Sequence, residues 1–481
     1  MRILKEKVYK KGKVKILMTL KVYNTLTRKL EEFKPMKGKQ VKAFVCGVTP
    51  YDYSHLGHAK TYTQFDIIIK YIKYKGFKVF YLQNITDIDD KIIKRANEQK
   101  TDWKTLSRKF EACYLEDMHS LGNNSVDKYA RGTEYIPQIV SQVQRLIQKG
   151  YAYKISDGYY FDLSKCKEYG KLAKRTSLEE NDAVSRVDEN LEKRNKGDFC
   201  LWKFSKPDEP SWKTELGILG RPGWHLEDTA ITETELGEQY DLHGGGMDLI
   251  FPHHEAEIAQ MEAVSGKKPF VKYWLHTGFI NVNKEKMSKS KGNFSTIRDV
   301  LKGYDKQVIR FLFASSHYRK PMEFSDETLQ QAKNNVQKFN EFSLKLKNYR
   351  SKVKDNKDVL KLIKETKEKF EEEMDNDFET ANAITSLFEF TKKINKLIAE
   401  EKISEKNVKE ALEFMKEIDT IFGFLRKEES EIPQEIKDLS DKREQARKEK
   451  DFKLADKLRE EIKSKGYYID DTKEGIIIKK L

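Results

Sequence analysis

Residues 41–86 read VKAFVCGVTPYDYSHLGHAKTYTQFDIIIKYIKYKGFKVFYLQNIT and contain two apolar runs separated by an amphipathic stretch. The runs VKAFVC (41–46) and FKVFYLQNIT (77–86) are rich in β-branched and aromatic residues, which is typical of strands. The stretch between them has the apolar spacing of a helix. Strand, helix and strand in this order predict a βαβ unit, which implies a parallel sheet. We therefore predict an α/β fold.

The composition is that of a long, basic and hydrophilic chain. Its 481 residues carry a formal net charge of +14, and this length predicts about three or four folded units. No apolar run approaches the roughly 18–20 residues that span a bilayer, so we expect no membrane partner. The four cysteines are scattered, which favours a reducing cytoplasm over a disulfide framework. The charge suits a nucleic-acid partner, and a general lysine bias is the alternative.

Three regions further along the chain have recognisable patterns. The segment YAYKISDGYYFDL (151–163) alternates aromatic residues around an Asp-Gly pair and predicts a hairpin. Residues 325–428 show heptad-like apolar spacing and are predicted to be helical. The charged residues 436–464 predict one more helix, and YYIDDTKEGIIIK (467–479) predicts a closing hairpin.

The segment FPHHEAEIAQ (251–260) places histidines next to a proline that is tolerated at a helix start. In a helix, His253 and Glu257 are four residues apart and share one face. That face is compatible with a metal site, with a catalytic pair or with ordinary surface, and the segment alone does not decide between them. Seven of the nine histidines fall in two windows of the chain, namely His55 and His58, and then His225, His243, His253, His254 and His276.

Two short motifs suggest phosphate chemistry. SHLGHAK (54–60) lies where the first strand hands over to the helix, a position at which helix N-termini favour phosphate. Its His55 and His58 can donate hydrogen bonds to a triphosphate, and helix capping is the alternative role. KEKMSKSKGNF (284–294) offers Lys286 and Lys289 to neutralise charge on a departing pyrophosphate, although such a match arises easily in a lysine-rich chain.

Together these motifs resemble the HIGH-type and KMSKS-type motifs of class I aminoacyl-tRNA synthetases. Longer segments narrow the resemblance to the cysteinyl-tRNA synthetase family, and it extends from Met18 to near the end of the chain. The segments are FVCGVTPYDYSHLGHAKT (44–61), YLQNITDIDDKIIKRA (81–96), GRPGWHLEDTAI (220–231), DLHGGGMDLIFPHHEAEIAQ (241–260) and ARKEKDFKLADKLREEI (446–462).

The resemblance implies a Rossmann-type parallel sheet split by an insertion, then an α-helical bundle and a small C-terminal mixed α/β domain. The expected boundaries are a basic extension (1–17), the first half of the catalytic domain (18–125), a connective insertion (126–215), the second half with the metal site (216–280), the KMSKS loop and linking region (281–325), a tRNA-binding helical bundle (326–430) and an anticodon-binding domain (431–481).

The resemblance also implies a zinc site that binds the substrate thiolate. The matching ligands are Cys46, Asp228, His253 and Glu257. Asp228 is a departure, because the family pattern GWHIEC reads GWHLED here and a carboxylate replaces a thiolate. The formal ligand charge is unchanged, and zinc accepts both ligand types. A site with weak affinity or no metal is the alternative.

Other site residues follow from the same resemblance. His55, His58, Lys286 and Lys289 would bind ATP and stabilise the phosphate transition state, with Mg²⁺ accompanying ATP. The expected substrate-binding residues are Thr49, Trp224, His225, His243 and Asp248, and aromatic core packing is the alternative for Trp224. Lys60 stands where the family often has arginine.

The predicted function is that of a cytoplasmic, monomeric cysteine–tRNA ligase. It would use ATP to convert L-cysteine to cysteinyl-adenylate and would then charge tRNA(Cys). One rival is a related ligase that joins cysteine to an amino sugar, but such an enzyme would not need the long region after residue 325. A second rival is a non-catalytic RNA-binding or adenylate-sensing protein, which the intact HLGH and KMSKS motifs disfavour.

Overall fold

The computed structural model describes residues 19–175, 190–223, 225–282, 285–286, 295–426, 433–449, 451–472 and 475–480. Strands and helices are numbered in chain order. The strands are β1 (Lys21–Asn24), β2 (Lys29–Glu32), β3 (Gln40–Val48), β4 (Lys78–Ile85), β5 (Lys128–Arg131), β6 (Ala152–Ile155), β7 (Gly158–Phe161), β8 (Phe199–Phe204), β9 (Gly220–Pro222), β10 (Tyr240–Gly246), β11 (Val271–Thr277), β12 (Ile280–Val282), β13 (Glu285–Lys286), β14 (Met322–Glu323), β15 (Tyr467–Thr472) and β16 (Gly475–Lys480).

Helices account for most of the remaining regular structure. They are α1 (Leu56–Tyr74), α2 (Asp90–Glu98), α3 (Trp103–Ser120), α4 (Ile136–Gln148), α5 (Leu226–Glu235), α6 (Glu255–Ser265), α7 (Ile297–Leu301), α8 (Lys306–Ala314), α9 (Asp326–Asn348), α10 (Lys357–Asp375), α11 (Thr380–Ala399), α12 (Glu405–Phe422), α13 (Gln434–Lys448) and α14 (Phe452–Ser464). None of the helices in the described ranges combines the length and the apolar character that a membrane crossing requires.

The central sheet is five-stranded and parallel, in the order β11-β10-β3-β4-β5. This confirms the predicted βαβ unit, in which α1 connects β3 to β4. The chain leaves β3 towards β4 on one side, whereas β10 on the other side of β3 continues to β11. The order therefore reverses between β3 and β10, and ligands of open parallel sheets bind outside the carboxyl ends of strands at such a point.

The stretch between the two halves of the sheet forms a separate antiparallel sheet, in the order β6-β7-β8-β9. The predicted hairpin at 151–163 is its first pair, because β6 and β7 pair antiparallel. Strand β5 pairs with β4 in the central sheet, although its residues lie in the range 126–215 that was expected to form the insertion. The expected domain boundaries remain predictions.

The chain divides into two compact units, Met1–Leu425 and Arg426–Leu481, and the residues after β14 are shared between them. In the first unit, the predicted helical region forms α9 to α12, whose apolar faces join the main hydrophobic core. In the second unit, the single helix predicted over 436–464 was wrong, because the chain forms two helices there. Asp451 caps the second one by accepting a hydrogen bond from the backbone N–H of Leu454. The predicted closing hairpin is confirmed as β15 and β16.

Candidate functional site

A cavity of about 620 Å³ lies at the carboxyl ends of the parallel strands. Its lining begins at the end of β3 with Cys46, continues through the loop to His55 and His58 at the start of α1, and includes His253. The antiparallel sheet β6-β7-β8-β9 contributes Cys200 and neighbouring residues of β8 and β9. The cavity thus occupies the position at which the reversal in strand order predicts a ligand.

A local irregularity at the end of β3 shapes the floor of the cavity. Val45 pairs with Gln83 and Val48 pairs with Ile85, so that Cys46 and Gly47 together face Asn84 of β4. Such bulges are frequent beside active sites, where they redirect a side chain. A Cβ on Gly47 would lie 1.8 Å from the backbone oxygen of Asn84, so this position requires glycine.

Four potential metal-binding side chains converge on this floor, and we name Cys46, Asp228, His253 and Glu257 the donor cluster. The Sγ atom of Cys46 lies 3.4 Å from Asp228 Oδ2 and 3.5 Å from His253 Nε2. His253 Nε2 lies 3.0 Å from Asp228 Oδ2 and also 3.0 Å from Glu257 Oε1. Ligands 2.0–2.3 Å from a tetrahedral ion are about 3.3–3.8 Å apart, so the separations approach those of a zinc site.

The electrostatics of the donor cluster favour a cation. Cys46, Asp228, His253 and Glu257 are all buried. In the described part of the chain, the carboxylate of Glu257 makes no well-oriented hydrogen bond and faces Nε2 of His253 at 3.0 Å and Nε2 of His243 at 3.6 Å. Burial raises the pKa of Glu257 well above its ordinary value, and Asp228 and Glu227 raise it further. Burial and Asp228 likewise raise the pKa of the Cys46 thiol. Anionic groups buried so closely are costly without a compensating charge, so the cluster fits a divalent metal ion.

Comparison with known proteins identifies the family. Residues 32–334 match the model of the class I (C) tRNA synthetase catalytic domain, and residues 369–426 match the DALR domain. The cysteine–tRNA ligase of Thermococcus gammatolerans is 46% identical over 477 residues, which covers 96% of this chain and 100% of that protein. The enzyme of Pyrococcus horikoshii is 47% identical over the same length and coverage. The chain belongs to the cysteine–tRNA ligase family.

Solved structures show the same fold at greater distance. A Mycobacterium tuberculosis methionyl-tRNA synthetase in complex with methionyl-adenylate has a TM-score of 0.57 and 16% identity, over 80% of this chain and 89% of that one. An Agrobacterium radiobacter LeuRS in a ternary complex has a TM-score of 0.61 and 9% identity, over 82% and 85%. The Rossmann-type catalytic fold expected of a cysteine–tRNA ligase is thereby confirmed.

The predicted pair of His253 and Glu257 lies at the start of α6. Helix α6 begins at Glu255, and the preceding residues Ile250–His254 are interrupted by extended backbone at Phe251 (φ −140°, ψ 134°). His253 and Glu257 therefore share a face across the junction, as the four-residue spacing predicted. Asp228 lies in the first turn of α5, where the positive end of the helix dipole favours a carboxylate.

A second layer of histidines supports the donor cluster. Nδ1 of His253 lies 2.8 Å from Nδ1 of His225. Nδ1 of His254 lies 2.8 Å from Nε2 of His276, whose own Nδ1 lies 2.8 Å from Thr25 Oγ1. Burial lowers the pKa of His225 and of His254 well below the ordinary value, so both rings are neutral near pH 7. Of these histidines, His225 is the one within hydrogen-bond distance of a member of the donor cluster, and such a partner orients the ring of a metal-binding histidine.

The predicted substrate-binding residues have different surroundings. Thr49 and Asp248 line the cavity. His225 and His243 are buried beneath it, and His243 Nδ1 lies 2.7 Å from the hydroxyl of Tyr240. Trp224 lies outside the described residues.

Of the predicted phosphate-binding residues, His55 and His58 line the cavity. His55 caps α1, since its Nδ1 accepts a hydrogen bond from the backbone N–H of His58, and His58 does the same for His55. Their rings stack with centroids 3.7 Å apart. Capping was the alternative to phosphate binding, but the two roles are compatible, because both rings also line the cavity. The backbone of Lys286 forms part of β13, and Lys289 lies outside the described residues.

Several polar residues beside the donor cluster were missed by the sequence analysis. Asn84 donates a hydrogen bond to Asp228 over 2.5 Å, and Thr86 donates to Glu227. His254 and His276 were counted among the clustered histidines but received no role. The signal for Asn84 was a polar residue at the carboxyl end of a core strand, next to the strand that carries Cys46.

Proposed function

We propose that this member of the cysteine–tRNA ligase family charges tRNA(Cys) in two steps and recognises cysteine through a zinc ion. The first step joins L-cysteine to ATP, with release of pyrophosphate, and the second transfers cysteine to the terminal adenosine of the tRNA. Cys46, Asp228, His253 and Glu257 would hold the zinc. The observation that carries this proposal is that the four side chains are buried together, with Nε2 of His253 3.0–3.5 Å from a donor atom of each of the other three.

The zinc proposal addresses the separation of cysteine from serine, which differ by one atom. A pocket that relies on shape alone rarely separates such close analogues by more than about a hundredfold. Zinc favours a thiolate over a hydroxyl as a ligand, because the thiol ionises far more readily. The floor of the cavity is where Cys46 and His253 meet the open volume, so the side chain of bound cysteine would point there.

The part of the cavity at the start of α1 suits ATP. His55 and His58 stand at the N-terminus of α1, where backbone N–H groups and the helix dipole favour phosphate. Lys286 and Lys289 would neutralise the pyrophosphate as it departs, and Mg²⁺ would accompany ATP. This chemistry stabilises a transition state and needs no covalent enzyme intermediate.

The long helical region supports tRNA as the acceptor. Residues 369–426 match the DALR domain, and the full-length ligases match 96% of the chain. A ligase for an amino sugar would not need these residues. We further propose that the enzyme acts as a monomer in the cytoplasm, where its four free cysteines would stay reduced.

The test compares variants at Asp228 for zinc content and for amino-acid selectivity. Asp228→Ala should lower zinc content and relax the preference for cysteine over serine at least about tenfold in pyrophosphate exchange, because one ligand is lost. Asp228→Cys should retain or tighten zinc binding, because it restores the family ligand set with the same formal charge.

A control on the same helix separates ligand loss from damage to α5. Glu233→Ala removes a carboxylate that pairs with Arg145 at 2.6 Å, away from the donor cluster. It should leave zinc content and selectivity unchanged. A metal-free enzyme that still selects cysteine over serine fully would overturn the zinc proposal.

A further inference from the structure

Asn84 joins two ligand-bearing segments that are distant in sequence. Its Oδ1 accepts a hydrogen bond of 2.5 Å from the backbone N–H of Gly47, the residue after Cys46. Its Nδ2 donates a hydrogen bond of 2.5 Å to Oδ1 of Asp228. The Asn84 side chain is fully buried, so these contacts fix its amide in one orientation.

We propose that Asn84 is a positioning residue that makes Asp228 a one-oxygen metal ligand and holds it in register with Cys46. This inference rests on the proposed zinc site. It concerns a residue outside the ligand set and explains how a carboxylate can stand where the family pattern has a thiolate.

The two oxygens of Asp228 have different environments. Oδ1 is engaged by Asn84, whereas Oδ2 faces Cys46 Sγ at 3.4 Å and His253 Nε2 at 3.0 Å. A free carboxylate can bind a metal through both oxygens and so occupy two coordination positions. A thiolate has a single donor atom. By engaging Oδ1, Asn84 gives Asp228 the denticity of the missing cysteine and leaves a position open for the sulfur of the substrate.

The bulge at Cys46 explains why the side-chain amide of Asn84 also contacts the end of β3. Because Cys46 and Gly47 together face Asn84, the regular ladder is interrupted at Gly47. The side-chain oxygen of Asn84 accepts the hydrogen bond of the Gly47 N–H in place of a regular ladder partner. The position of Cys46 and the orientation of Asp228 therefore depend on one amide group.

The neighbouring carboxylate provides a control that does not involve Asp228. Oε1 of Glu227 accepts a hydrogen bond from Thr86 Oγ1 and lies 3.3 Å from Asn84 Nδ2. Thr86→Val removes the hydroxyl that donates to Glu227 and accepts a 3.3 Å hydrogen bond from Asn84 Nδ2. It leaves the contacts of Asn84 with Gly47 and Asp228 in place. It tests whether any loss of polarity in this buried region has the same effect as the loss of Asn84.

The experiment measures Co²⁺ and Zn²⁺ affinity in the full-length protein, together with the Co²⁺ absorption spectrum. Asn84→Ala and the isosteric Asn84→Asp should each weaken metal affinity about 10–100-fold, as for other residues that orient metal ligands. Thr86→Val should change the affinity less than about threefold. With zinc saturating, Asn84→Ala should raise the KM for cysteine and leave the KM for ATP unchanged. Asn84 variants with the affinity and spectrum of the wild type would overturn the inference.

A double-variant comparison isolates the action on Asp228. In an Asp228→Cys background, Asn84→Ala should cost at least about fivefold less affinity than in the wild type, because the thiolate has no second donor atom to restrain. An equal loss in both backgrounds would mean that Asn84 acts through Gly47 or through the fold and not on the denticity of Asp228, and the inference would fail. If Asp228→Ala itself leaves the metal in place, the proposed zinc site fails instead, so the two failures are distinguishable.

Discussion

The donor cluster and the start of α1, the two proposed substrate-binding regions of the cavity, differ in burial and in the contacts that hold them. At the donor cluster, ionisable groups are buried and held at fixed separations by second-layer contacts such as those of Asn84 and His225. At the start of α1, His55 and His58 are only half-buried and their contacts belong to a helix cap. A buried, rigid site suits discrimination between two similar atoms, whereas an open helix terminus suits a large and highly charged phosphate chain.

The first prediction distinguishes phosphate chemistry from cysteine binding by their separate effects on the adenylation rate and on the KM for cysteine. Lys289→Ala should lower the rate of adenylation about 10²–10³-fold and leave the KM for cysteine nearly unchanged, because it removes a contact made in the transition state. Pyrophosphate exchange at varied cysteine concentration measures both quantities. Lys302→Ala, which removes an exposed lysine paired with Asp299, is the control and should have little effect. Normal turnover with only a raised KM for cysteine would contradict the assignment of Lys289 to phosphate chemistry.

The second prediction asks whether adenylation still proceeds when most of the unit Arg426–Leu481 is removed. Removing residues 430–481 should lower tRNA charging at least about tenfold and leave cysteine-dependent pyrophosphate exchange close to normal. The remaining tRNA affinity should depend less steeply on salt, because contacts to phosphates are lost. Equal losses in charging and in exchange would show that these residues support the catalytic fold.

The third prediction concerns Lys60, a buried lysine in α1. Lys60 donates hydrogen bonds to the backbone oxygens of Gly278 at 2.7 Å and Tyr318 at 3.3 Å, and to Gln64 Oε1 at 3.1 Å. These acceptors are uncharged. Burial lowers the pKa of Lys60 from 10.5 to about 7. Between those two values the unfolded chain binds more protons than the folded chain, so the free energy of unfolding should rise with pH.

The effect of Lys60 can be measured by comparison with a side chain that does not titrate. Between pH 7 and pH 9 the wild type should gain about 1–2 kcal/mol in unfolding free energy relative to Lys60→Arg. Tryptophan fluorescence during denaturant unfolding reports on the unit Met1–Leu425, which contains Lys60. All five tryptophans belong to this unit, because they lie within residues 103–274. Parallel pH dependence in the two proteins would show that Lys60 stays charged in the folded state.

Local sequence patterns predicted much of the fold. The strands on either side of α1 and the hairpins at 151–163 and 467–479 followed from apolar spacing and turn residues, which act over short distances. The single helix over 436–464 was wrong because the charged pattern continues through the break, and the cap at Asp451 was not distinguished from an interior aspartate. Strand order was beyond local patterns, since the pairing of β3 with β10 joins residues almost two hundred positions apart.

The family resemblance named all four residues of the donor cluster, but local sequence patterns predicted only part of it. The spacing of His253 and Glu257 was visible in one short segment, whereas their approach to Cys46 and Asp228 depends on the order of strands in the sheet. The hydrogen-bond partners of Asn84 could not be predicted from the sequence, because Gly47 and Asp228 are 37 and 144 positions away. Such contacts follow from tertiary structure and have no periodic signature in the sequence.

Zinc X-ray absorption spectroscopy on the wild type and on Asp228→Cys tests the central claim most directly. We expect about one zinc per chain in the wild type, bound by a single sulfur at about 2.3 Å and by nitrogen and oxygen ligands at about 2.0–2.2 Å. Asp228→Cys should show two sulfur ligands at the same site. A wild-type protein that binds no zinc, or a sulfur count that does not rise from one to two in Asp228→Cys, would contradict the account.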